Sequence, residues 1–127
     1  MGHRRLVAVA AAVWVACLTV VSFLPAHSKR HLHTKGRLHP VGHLLFFMVA
    51  SALLAASART ARVRTILLVS LAGMAFAVEG LQYLLNPIEM EWHDVANDLL
   101  GVALGAILVA LIGGMRGRSG AAAASDL

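Results

Sequence analysis

The chain has 127 residues, of which 59% are hydrophobic and 13% charged, with a formal net charge of +5 and a mean hydropathy of +0.77. Soluble domains are about one-quarter charged, so this composition excludes an ordinary water-soluble domain and indicates an integral membrane protein, short enough for one membrane domain. The single cysteine, Cys17, excludes an intrachain disulfide framework and a cysteine-based metal site.

The first predicted span covers residues 6–24, an almost uninterrupted apolar run behind Arg4 and Arg5. It is close to the roughly 20 residues needed to cross a bilayer core. The run is long for the apolar region of a signal peptide and the sequence after Pro25 is a poor cleavage site, which favours a retained signal anchor. Residues 26–38 form a polar loop with Lys29, Arg30, Lys35, Arg37, His27, His31 and His33. Its histidines, with His39 and His43, read as a basic segment lying on headgroups rather than a metal collector.

The second span runs from His39 or Pro40 to Ser57, and Pro40 suits a helix start because its missing N–H needs no partner there. Arg59, Arg62 and Arg64 follow it. The third span is residues 65–85, stopped by Asn86 and Pro87. The fourth begins near Trp92 or His93 and ends at Ile112. The expected organisation is an all-α four-helix transmembrane bundle over residues 1–112, with a disordered tail over residues 113–127. Four spans put both termini on one side. Arg4, Arg5, Arg59, Arg62, Arg64, Arg116 and Arg118 on that side outnumber Lys29, Arg30, Lys35 and Arg37 on the other, so both termini are expected in the cytoplasm. Basic residues flanking apolar spans point to anionic lipid rather than nucleic acid.

Polar residues inside these spans need a reason, because an ionisable group at membrane depth is costly unless paired or hydrated. They concentrate in residues 79–105. Asp94, Asn97, Asp98, Gly101 and Gly105 form one stripe of a helix, and Glu79 and Gln82 share a face of the preceding span. The link containing Pro87 predicts an antiparallel hairpin with both polar stripes near its turn. At the helical rise of about 1.5 Å per residue, Glu79, Asp98 and His43 all lie about 7–10 Å below the outer membrane surface. Three spans therefore place polar groups at one level.

These residues carry a family resemblance. His39, Pro40 and His43 followed by Leu44, Leu45, Phe46 and Phe47, then Glu79 and Gln82, then Trp92, Asp94 and the Asn97/Asp98 pair, then Gly101 and Gly105, occur in the order and spacing of the VanZ-like family. With Leu24 and Pro25 at the end of the first span, the chain resembles that family of small bacterial membrane proteins from about residue 22 to about residue 110.

The resemblance implies a multi-pass protein of the bacterial plasma membrane, in a family named for low-level resistance to the glycopeptide teicoplanin. By matching position, His43, Glu79, Gln82, Asp94 and Asn97 are the family's polar signature. Relatives usually carry a basic residue in the link before the aspartate, whereas this chain has Glu89 and Glu91 there. An anionic headgroup contact then falls to His93, Lys35 and Arg37.

The leading expectation is an outer-leaflet site that binds or modifies an anionic lipid or a lipid-linked cell-envelope precursor. Glu79 and Asp94 serve as acid/base or headgroup-coordinating pair, His43 and Asp98 assist, and Gln82 and Asn97 orient. No metal or cofactor is assigned. A histidine with carboxylates suits several divalent ions, but the candidate ligands come from three helices with only His39 and His43 as a local pair. The absence of GxSxG, HExxH and a phosphate-cradling glycine loop leaves nucleophilic catalysis unsupported.

The rival expectation is a non-enzymatic scaffold whose buried carboxylates only fix helix packing, with a homo-oligomer formed through Gly101 and Gly105. Gly73 and Ala77 read as a second close helix contact, and Trp92 as an interfacial anchor. A transporter ranks last, because four spans without an inverted repeat are short for alternating access.

Overall fold

The structure, a computed structural model, describes residues 2–23, 39–85 and 92–125, with the side chains at 39, 85 and 116–125 outside that description. It is all-helical, as expected. The helices among the described residues are α1 (His3–Ser22), α2 (His39–Ser57), α3 (Ala61–Leu85) and α4 (Trp92–Ser125). Each contains a segment long and apolar enough to cross a membrane, and most of each segment's surface faces outward. The exposed side chains there include Val13, Val20, Ile66, Val69, Ile107 and Leu111. Such a surface is stable in lipid and not in water.

The contacts fix the directions of the helices. Along α2 and α4 the residue numbers rise together: His43 meets Asp98, Leu44 lies against Gly101, and Ala52 lies against Gly105. These two helices are parallel. The short link at residues 58–60 returns the chain from α2 into an antiparallel α3. At the end of α1, the Ser22 carbonyl accepts a hydrogen bond of 2.8 Å from the Gln82 side chain near the end of α3, so α1 and α3 point the same way. The result is an up-down-up-down bundle. Its core draws on every helix, with Leu18, Phe47, Ala50, Leu71, Ala75 and Val102 packed together.

Helix α1 is integrated into this core. The Trp14 indole N–H donates to the Phe46 carbonyl at 3.0 Å, and the two rings stack with centroids 5.0 Å apart. A half-buried indole gains from such a partner, and finding it on α2 makes α1 a working member of the bundle.

The most extensive helix contact is between α2 and α4. The expected antiparallel pairing of α3 with α4 is present as well and is the less extensive of the two. Glycine explains the preference. A Cβ at Gly101 would overlap the Leu44 carbonyl oxygen and reach 3.0 Å from the Met48 nitrogen; one at Gly105 would overlap the Met48 carbonyl and lie 2.9 Å from the Ala52 nitrogen. The backbones approach closely only because neither residue has a side chain. In the same seam the Ser51 hydroxyl donates to the Val102 carbonyl at 2.6 Å.

Four expectations change here. The face of Gly101 and Gly105, assigned to a homo-oligomer, is covered by the chain's own α2. Gly73 was expected at a close helix contact, yet a Cβ there would meet nothing within 4 Å, and both Gly73 and Ala77 are exposed. The tail expected to be disordered over residues 113–127 is helical as far as Ser125, in spite of the low helix propensity of Gly113, Gly114, Gly117 and Gly120. Helix α3 also starts earlier than residue 65, because the Thr60 side-chain oxygen accepts from the Val63 N–H at 3.2 Å and caps the helix.

Candidate functional site

The parallel pairing of α2 and α4 brings their N-terminal turns side by side. On α4, Asp94 and Asp98 are one turn apart and point at α2, in the same stripe as the two seam glycines. His43 is one turn into α2 and receives them. Its Nδ1 lies 3.0 Å from Asp98 Oδ1, and its Nε2 lies 4.0 Å from Asp94 Oδ2. With Asp98 ionised, Nδ1 carries the hydrogen and donates it. Each ring nitrogen thus has a carboxylate beside it.

Glu79 completes the cluster from α3. It is buried and acts electrostatically on the imidazole together with Asp98 and Asp94. The three carboxylates are 1–5% exposed, whereas the His43 side chain is 22% exposed. The imidazole is therefore the member of the cluster that a ligand at the bundle surface reaches first. An imidazole flanked by acids on both nitrogens can pass a proton from one carboxyl group to another, which is the chemical capacity of an acid/base centre. Asp94 also stands in the first turn of α4, where the helix dipole favours its charge.

The other candidates are placed differently. Gln82 is half-buried and its amide is engaged by the Ser22 carbonyl, so it ties the end of α1 to α3. That contact satisfies one of the terminal carbonyls a helix leaves over. Asn97 is half-buried, and Asp98, one residue further and about 100° around the helix, is the residue that faces His43. His93 is exposed on the first turn of α4, as is Trp92. Lys35 and Arg37, with the link residues Glu89 and Glu91, lie outside the described residues. Among the described residues no three His, Cys, Asp or Glu side chains converge as a metal-binding group.

No family model matches the chain, and no curated protein or solved structure matches it either.

Two polar contacts between helices, made by Ser51 and Trp14, escaped the sequence reading. Ser51 continues the α2 face that runs through His43, Leu44, Phe47 and Met48, a helical stripe that could have marked it. Trp14 carried no such signal, since its partner is a backbone carbonyl on another helix.

Proposed function

We propose that this is a VanZ-like protein of the bacterial plasma membrane, and that its cluster of His43, Asp94, Asp98 and Glu79 is an outer-leaflet site that binds or modifies a lipid or lipid-linked cell-envelope precursor. What carries the reading is the gathering of acids from two helices around one partly exposed imidazole. A cluster serving only to lock helices would gain little, because polar pairs between membrane helices contribute about 0.6–2 kcal/mol. Glu79 and Asp94 act as the acid/base pair, with His43 carrying protons between the acids and Asp98 holding the ring.

The sign of the charge divides the ligand. Three carboxylates repel a bare phosphate, so the cluster takes hydroxyl or amide groups of the headgroup, which bring hydrogen-bond donors. The anionic part belongs above the cluster, with His93, Lys35 and Arg37. Both termini are then cytoplasmic, in keeping with the arginines flanking that side.

The test is chemical. Cells carrying Glu79→Gln or Asp94→Asn, with protein abundance matched to wild type, should show an altered lipid or precursor profile and altered teicoplanin susceptibility. An unchanged profile and susceptibility with folded, abundant protein would remove the site.

A second reading draws on Asp98, which is 1% exposed and one turn before the seam glycine Gly101. In a pure scaffold that aspartate pins α2 to α4 and the cluster has no ligand. The same substitutions would then lower stability without a selective biochemical defect.

A further inference from the structure

The described carboxylates, Glu79, Asp94 and Asp98, all sit at one end of the bundle. Arg4 and Arg5 at the start of α1, and Arg59, Arg62 and Arg64 at the α2–α3 corner, sit at the other end, and all five are exposed. Arg64 and Glu79 are separated by about 22 Å along α3 at the rise of an α-helix. None of these arginines forms an ion pair among the described residues.

Exposed apolar side chains are interleaved with the corner arginines. Val63 stands between Arg62 and Arg64, and Ile66 follows one half-turn on, respectively 43% and 54% exposed. A surface that presents guanidinium groups and bare aliphatic side chains within one helical turn suits the boundary between acyl chains and headgroups, where arginine keeps its charge in the polar layer. A nucleic acid would meet the aliphatic side chains with its phosphates, a poor match. Guanidinium forks pair with phosphate oxygens through two hydrogen bonds, which a zwitterionic headgroup offsets with its own cation.

We propose that the arginine end is a docking surface for anionic phospholipid headgroups, centred on Arg59, Arg62 and Arg64 and extended by Arg4 and Arg5. It stands on a different observation from the polar cluster and at the opposite end of the molecule. Its role is to hold the bundle at a fixed depth in the leaflet that this end faces.

The experiment uses the full chain in detergent micelles, with phosphatidylglycerol and phosphatidylcholine of equal acyl length added and the retained lipid read by native mass spectrometry. At about 1 kcal/mol per basic residue, phosphatidylglycerol should be retained at least about fivefold over phosphatidylcholine. The variant R59Q/R62Q/R64Q should bring the ratio close to one, while R59K/R62K/R64K keeps most of it. For wild type the preference should shrink in about 1 M salt, where the screening length falls to about 3 Å. Equal retention of the two lipids, a preference unchanged in the glutamine variant, a preference that survives high salt, or displacement of the lipid by an equimolar DNA duplex would each overturn the proposal.

Discussion

The α2–α4 seam and the outer face of α3 contain the same kind of residue and use it in opposite ways. In the seam, Gly101 and Gly105 lie directly against the backbone of α2, and Ser51 adds a hydrogen bond across it. On α3, a Cβ at Gly73 or Gly80 would meet nothing within 4 Å. A small residue in a membrane helix only permits close approach. Whether approach happens depends on what the facing helix offers, and α2 offers a matched row of Leu44, Met48 and Ala52. The seam is also where the polar cluster begins, so close packing and candidate chemistry share one interface.

Substitutions can break or sharpen that contrast. The largest effect is expected from Gly105→Ala, because the atoms in the way are backbone and cannot swing aside. It should cost about 3 kcal/mol, at the upper end for overpacking, read as a lower midpoint in reversible denaturation in mixed micelles. Ser51→Ala keeps the packing and removes one bond to the Val102 carbonyl, and should cost about 1 kcal/mol in the same assay. The smallest effect belongs to α3: Gly73→Ala meets open space and should be neutral or stabilising, by up to about 1 kcal/mol from helix propensity. Equal losses from Gly73→Ala and Gly105→Ala would erase the distinction between the two faces.

The contrast also shows what was legible in the sequence. Hydropathy alone located the four spans, and the polar spacing singled out Glu79, Asp94, Asp98 and His43, of which the structure sets Asp94 and Asp98 beside His43, since an ionisable residue in an apolar helix needs company. Which pair of helices would pack most closely was not legible. Gly101/Gly105 and Gly73/Ala77 have the same four-residue spacing, and the choice between them rests on the surface of a third element distant in sequence. Short connections suggested an α3–α4 hairpin, but close backbone approach favoured α2 as the main neighbour of α4. The role of Gln82 was hidden for a related reason, because its partner is a backbone carbonyl left over at the end of α1. The start of α3 was misplaced because its arginines look like a loop, although Thr60 caps a helix that begins among them.

The central claim is that α2 and α4 meet through a polar unit in which His43 and Asp98 act together. A double-mutant cycle measures this most directly, with His43→Ala, Asp98→Ala and the double variant unfolded reversibly in mixed micelles. The account predicts a coupling of about 1–2 kcal/mol, in the range for polar pairs between membrane helices. Additivity of the two single substitutions within about 0.3 kcal/mol would contradict it, because the imidazole and the carboxylate would then be neighbours without a bond.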